Sequence, residues 1–186
     1  MRIISGKAKG TKLDTLEGLN TRPTLDRVKE SVFNIIQSDL QDCIFLDVFA
    51  GSGAIGLEAA SRGAQEVFMC EQSKQAIKII EKNIQKTHLE QQIKLYNMDF
   101  KQMLSTKIDK KVDIVYIDPP YSTNYAYETL KILLEKEIIN EKSIVIVETD
   151  RDEVLEELEK LEIKIIDKRK YGRAYIVFLT KRLERG

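Results

Sequence analysis

"LDVFAGSGAIG", residues 46–56, decides how the rest of the chain is read. A short apolar run breaks into a loop with glycines at 51, 53 and 56, and "AIGLEAASRG" then reads as a helix with Gly63 just past its end. A G-x-G-x-x-G at a strand-to-helix turn lets the backbone approach a ligand closely, and the helix start adds unpaired N–H groups. Glu71 closes the next apolar run, "EVFMCE", twenty residues after Gly51. A carboxylate there can accept from both hydroxyls of a ribose. By itself the pattern fits a dinucleotide.

Asp47 argues otherwise. It lies in the strand, four residues before the first glycine, where a pyrophosphate site needs only apolar residues. A negative charge there opposes a pyrophosphate and favours a ligand carrying an ammonium and a sulfonium, directly or through water. S-adenosylmethionine (SAM) is such a ligand and has no phosphate. Asp99 follows a third strand, where it can accept from the adenine amine, and Phe100 offers a ring to stack on it. Each acid has a plainer reading: Asp47 as a structural acid pinning loop amides, Asp99 as a helix N-cap, Glu71 as a surface residue. Ligands of open α/β sheets bind at the carboxyl ends of the strands, and all three acids are expected there.

Outward from the loop, strand and helix alternate. Strands are expected at "IFLDVF", "EVFMCE", "IKLYNMD", "VDIVYID" and "SIVIVET"; helices are expected at "KQAIKIIEKNIQKTHL", "YAYETLKILLEKE" and "EVLEELEKL". Upstream, "TRPTLDRVKESVFNII" is an amphipathic helix in which Pro23 sits where a helix start tolerates it. The chain finishes with "IKIIDKRKYGRAYIVFLTK", two β runs around Tyr171 and Gly172 that read as a hairpin. Near-continuous apolar strands in βα units imply a doubly wound α/β fold, a mostly parallel seven-stranded sheet ending in an antiparallel hairpin. Residues 1–20 form a basic arm or hairpin, and residues 21–186 the main domain with its leading helix.

Hydrophobic residues at 42% and charged residues at 32% describe a soluble globular chain of 186 residues with no candidate membrane span or signal peptide. Cys43, Cys70 and the single histidine, His88, fit no metal or disulfide framework, so the expectation is cytoplasmic chemistry without a metal. The net charge is zero, yet both ends are basic. Residues 1–13 hold Arg2, Lys7, Lys9 and Lys12 with no acid, and "KRKYGR" carries Lys168, Arg169, Lys170 and Arg173. Strand six is expected to run parallel to the others, which brings that basic turn to the ligand edge as an RNA-binding candidate.

"DPPY", residues 118–121, ends the fourth strand. Two prolines remove two donors and stiffen the turn. The Asp118 carboxylate and the Pro119 carbonyl can accept from the two N–H groups of an exocyclic amine, restoring electron density to its nitrogen. Tyr121 offers a face on which an extruded base can stack, worth about 1–3 kcal/mol. The chemistry is direct displacement at a methyl carbon, without a covalent intermediate.

These residues resemble the amino-directed SAM-dependent methyltransferases. "MRIISGKAKGTKL", "TRPTLDRVKESVFNII", "LDVFAGSGAIGLEAASRGA" and "VDIVYIDPPY", in that order, resemble the RsmD family of ribosomal RNA methyltransferases over nearly the whole chain. The resemblance implies methylation of the N2 amine of one guanine in 16S RNA, the guanine-966-type position, within an assembled or assembling small subunit. It implies SAM as methyl donor and S-adenosylhomocysteine as product; nothing in the sequence demands more than a monomer. It maps the SAM site onto Asp47, Phe49, Gly51, Ser52, Gly53, Glu71, Asp99 and Phe100, with Asp118, Pro119 and Tyr121 at the reacting amine. "TRPT" adds Thr21 and Arg22 at the methionine end of SAM.

Three rivals remain. A DNA adenine-N6 methyltransferase shares "DPPY" but generally carries a separate recognition region, for which this chain has no spare length. A protein-glutamine methyltransferase usually has Asn where Asp118 stands. An NAD-dependent dehydrogenase is opposed by Asp47.

Overall fold

The structure, a computed structural model, describes residues 1–16, 23–120, 123–158 and 160–183. It divides into two compact units, Met1–Asp99 and Phe100–Gly186. Seven strands form one sheet in the order β3-β2-β1-β4-β5-β7-β6, with β1 at Ile44–Asp47, β2 at Glu66–Glu71, β3 at Ile93–Asn97, β4 at Ile114–Ile117, β5 at Ile144–Thr149, β6 at Ile163–Tyr171 and β7 at Ala174–Lys181.

In the first unit β1, β2 and β3 are parallel, and every strand ends where the sequence places an acid or the approach to one. The apolar residues Phe45, Leu46, Val67, Phe68 and Met69 are all buried, so β1 and β2 are covered on both faces, as near-continuous hydrophobic strands require. α1 (Pro23–Ile35) starts on its proline and buries Val28, Val32 and Phe33. α2 (Ala54–Ser61) follows the glycine loop. α3 (Lys74–Thr87) is capped by the Ser73 hydroxyl, which accepts from Ala76 N–H at 3.3 Å, and buries Ala76, Ile80, Asn83 and Thr87 along one stripe.

Residues 1–13 form a hairpin closed by the Arg2–Lys12 bridge, and it is docked rather than loose. Ile3 is fully buried. Ile4 and Ser5 donate their amides to the Glu58 carboxylate at 2.8 and 3.0 Å, and Ala8 donates to the Ser61 hydroxyl at 3.0 Å. Glu58, itself fully buried, also meets Lys29 at 3.1 Å and Arg62 at 2.7 Å, so every charge in the cluster has a partner.

In the second unit β4 and β5 are parallel, β7 is antiparallel to β5, and β6 is antiparallel to β7, so β6 runs in the direction of β5 as its sequence suggests. α4 (Phe100–Thr106), α5 (Tyr125–Glu135) and α6 (Asp152–Leu158) complete the unit. One expectation is corrected. Lys168, Arg169 and Lys170 are not in a turn: β6 continues through Tyr171, and only Gly172 and Arg173 lie between the strands. The ladder to β7 overrides the polar composition of that segment. Between Ile165 and Asp167 the register shifts by one residue, leaving Ile166 in a β-bulge and 56% exposed. No helix among the described residues is long and apolar enough to cross a membrane.

Candidate active site

Asp47 ends β1 and is buried. Its Oδ2 accepts from Gly56 N–H at 3.1 Å, and the Phe49 amide also bonds the carboxylate. Burial pushes the carboxyl up to about 7; the two amides oppose the shift, while the nearby Glu71 charge adds to it. The structure thus gives Asp47 the loop-pinning contacts its sequence position allowed as the plainer reading. Gly51 and Gly53 both adopt positive φ, 56° and 79°, and Gly53 forms the left-handed start of α2. A Cβ built on Gly51 would meet nothing within 4 Å, so the backbone there faces open space. Phe49, Gly51 and Ser52 are half-buried.

Glu71 bridges two loops. One carboxylate oxygen accepts from Gly51 N–H at 2.9 Å, the other from Ser73 N–H at 2.7 Å. Each oxygen keeps acceptor capacity for a further partner. Asp99 stands immediately before α4, the position of a helix cap, and is half-buried. Burial pushes the Cys70 thiol up to about 12, and the charges of Glu71, Asp99 and Asp47, in that order, add to the shift. Parallel pairing sets Asp47 beside Met69 and Glu71 beside Asn97, so the three acids stand at or just past the carboxyl ends of β1, β2 and β3 within the first unit. A groove along α3 and β3, lined by Ile77, Ile84 and Leu95 among others, includes none of the candidate residues.

In the second unit, Phe100 is buried and packs its ring against Tyr125 at 5.0 Å between centroids. Asp118 leaves β4 exposed, and Pro119 is half-buried. Thr21, Arg22 and Tyr121 lie outside the described residues. Glu148 is an acid that the sequence reading passed over. Ile117 pairs with Val147, so Glu148, one residue before the end of β5, lies at the level where Asp118 leaves β4. Its Oε2 accepts from the Tyr116 hydroxyl at 2.7 Å; burial raises its pKa and the Tyr116 hydrogen bond opposes the rise.

Two further polar residues escaped notice. Asn83, fully buried on α3, donates from Nδ2 to Ser52 O and to Asp14 O, both at 2.9 Å, and accepts from Asp14 N–H at 2.8 Å. It ties the glycine loop to the end of the N-terminal hairpin. An amide on the apolar stripe of α3 was the available signal, as was a carboxylate inside the small-residue helix α2 for Glu58. The basic candidates divide. Lys7, Lys9 and Lys12 are exposed on the hairpin, and Lys168, Arg169, Lys170 and Arg173 are exposed on β6 and its turn.

A family model described as "Conserved hypothetical protein 95" matches residues 1–180. The chain is 36% identical over 159 residues to the protein named Ribosomal RNA small subunit methyltransferase D of Haemophilus influenzae (strain ATCC 51907 / DSM 11121 / KW20 / Rd), covering 83% of this chain and 81% of that one. The chain belongs to the RsmD family. The equally named protein of Escherichia coli (strain K12) is 33% identical over 150 residues, covering 81% and 75%. Among solved structures, yhhF from Escherichia coli superposes with a TM-score of 0.82 at 25% identity, covering 99% of each chain. The fold of this RsmD-family chain is accordingly the Rossmann-like fold its sequence indicates.

Proposed function

We propose that this chain transfers a methyl group from SAM to the N2 amine of a guanine in small-subunit ribosomal RNA, the position that its family resemblance names. The observation that carries the reading is the row of acids, Asp47, Glu71 and Asp99, at or just past the carboxyl ends of three adjacent parallel strands, with Glu71 bonded to the glycine loop at Gly51. That donor set fits SAM: carboxylates favour a sulfonium, an ammonium, ribose hydroxyls and an adenine amine, and they oppose a pyrophosphate. Glu71 would hold the ribose with the acceptor capacity left after its two loop contacts, and Asp99 would accept from the adenine amine. Asp47 would act through the loop whose amides it holds, and its charge would favour a cationic ligand nearby. Phe49, Ser52 and Gly53 would shape the loop around the donor, with Phe100 beside the adenine. Thr21 and Arg22 would meet its methionine end.

SAM supplies an electrophilic methyl carbon on sulfur. The chain's own contribution is to the nucleophile. Asp118 and the Pro119 carbonyl would accept from the two amine N–H groups, turning the nitrogen lone pair toward the methyl carbon, while Tyr121 stacks on the extruded base. The C–N bond forms as the C–S bond breaks with its pair on sulfur, giving S-adenosylhomocysteine. The extra proton leaves nitrogen for Asp118 or water. Lys7, Lys9 and Lys12 at one end of the chain and Lys168, Lys170 and Arg173 near the other would hold RNA phosphates. The enzyme is expected to act as a cytoplasmic monomer on the small subunit or its assembly intermediate.

The relatives named as small-subunit methyltransferases support the RNA substrate, and Asp118 in first position of "DPPY" supports a nucleobase amine over glutamine. The test is transfer of labelled methyl to small subunits lacking the modification, followed by nucleoside analysis. Label in N2-methylguanosine is expected. Label in N6-methyladenosine, or transfer only to DNA, would replace this reading with the alternative amino-directed nucleic-acid methyltransferase.

A further inference from the structure

The bulge at Ile166 rearranges the basic end of the chain. Cross-strand partners share a face of a sheet. Ahead of the bulge Ile165 pairs with Leu179; beyond it Asp167 pairs with Phe178, Lys168 with Val177, Arg169 with Ile176 and Lys170 with Tyr175. Ile165, Lys168 and Lys170 thus share the face of Leu179, Val177 and Tyr175. Arg169 lies on the other face with Asp167, which accepts from its Nε at 2.8 Å and so offsets its charge.

On the first face two ammonium groups converge on one ring. Lys168 Nζ lies 4.4 Å and Lys170 Nζ 5.1 Å from the Tyr175 ring centroid. The ring quadrupole attracts both and holds them near fixed positions, which lowers the entropy lost when an anion binds. Two residues along a strand are roughly 7 Å apart, a span that one or two phosphodiesters can bridge. The ladder also fixes where this cluster lies in its unit. Lys168 is aligned through Val177 and Val147 with Ile117, the residue before Asp118, and Lys170 is aligned through Tyr175 with Thr149. Three strand spacings separate β6 from β4 in this half of the sheet, about 14 Å.

We propose that Lys168 and Lys170, organised by the face of Tyr175, form a clamp for the phosphodiester backbone of the RNA a few nucleotides from the target base, and that Arg169 is not part of it. The occupant is backbone rather than a stacked base because the ring is already engaged by two cations. This rests on the proposed RNA substrate, and the experiment separates the two.

Binding of unmodified small subunits is measured against salt concentration for the wild type and for Lys168→Gln/Lys170→Gln, Arg169→Gln, Tyr175→Phe and Tyr175→Leu, alongside SAM affinity, thermal midpoint and methyl transfer by the wild type. The double lysine variant should lose about 1.4–1.8 from the slope of log K against log salt, as for two lost phosphate contacts. Tyr175→Leu should weaken binding about two- to fivefold, and Tyr175→Phe, which keeps the ring, should not. SAM affinity and thermal midpoint should hold in all four variants. An unchanged slope in the double variant overturns the clamp while leaving the methyltransferase reading intact, provided the wild type transfers methyl. A loss of about 0.7–0.9 from the slope in Arg169→Gln, the full value for one phosphate contact, overturns the assignment of faces. A wild type that neither binds nor methylates the subunit overturns both proposals.

Discussion

Glu71 closes the glycine loop onto the second strand: its Oε2 accepts from Gly51 N–H at 2.9 Å, while its Oε1 accepts from Ser73 N–H at 2.7 Å. A residue expected to serve a ligand therefore also fixes the two loops that would surround it. Glu71→Gln is the informative change, since it keeps the shape but sets an NH₂ group against one of the two amides. A lost hydrogen bond to a charged acceptor costs about 1.5–3 kcal/mol. SAM affinity by isothermal titration should fall about tenfold or more, with a lowered thermal midpoint. Unchanged affinity would remove Glu71 from the donor site.

Asp47 makes stability and ligand binding depend on pH. Its carboxyl is raised to about 7 in the fold, above the ordinary carboxylate value, so the folded chain holds a proton that the unfolded chain has released. Stability should fall as pH rises from about 4 toward 7, and no further loss from this group is expected above that. A bound cation favours the ionised form, so SAM affinity should rise from about pH 6 to pH 8, by at most tenfold per unit for one proton. Asp47→Asn should flatten both profiles, which thermal melts and titrations would read directly.

Asp118 is exposed at the end of β4 and is the acceptor assigned to the amine. Asp118→Ala should lower kcat about a hundredfold or more while SAM affinity stays within error, since only an interaction strengthened in the transition state is removed. Near-normal turnover would take Asp118 out of the mechanism.

Two glycines in the N-terminal hairpin give a controlled comparison. Gly6 and Gly10 have nearly equal φ, 83° and 87°, but a Cβ on Gly6 would lie 1.8 Å from the Ser61 carbonyl oxygen, whereas one on Gly10 would meet nothing within 4 Å. Gly10→Ala should cost only the left-handed strain, about 1–2 kcal/mol. Gly6→Ala should cost clearly more in chemical denaturation, because the hairpin cannot stay docked on α2. If RNA contacts depend on that docking, its KM for subunits should rise while its KM for SAM changes little. Equal stability of the two variants would contradict the docked hairpin.

The repeating strands and helices were legible because each apolar run is short, bounded and followed by helical spacing; "EVFMCE" is β2 from end to end. The strand-end acids were legible for the same reason, since a carboxylate stands out against apolar neighbours. Asn83 and Glu58 were not, because a buried polar group is distinguished only by partners distant in sequence: Asp14 and Ser52 for one, Lys29 and the amides of Ile4 and Ser5 for the other. The faces of β6 were equally hidden. Strict alternation from Ile163 and Ile165 puts Arg169 on their side, and the single unpaired residue at Ile166 reverses it.

The same bulge has a second effect, on self-association. β6 is the outermost strand of its side of the sheet, and a long flat border of unpaired N–H and C=O groups invites another chain to add to it. Ile166 interrupts that border, and exposed Lys164, Lys168 and Lys170 place like charges along it, so a second copy approaching edge to edge would meet a kink and mutual repulsion instead of a template.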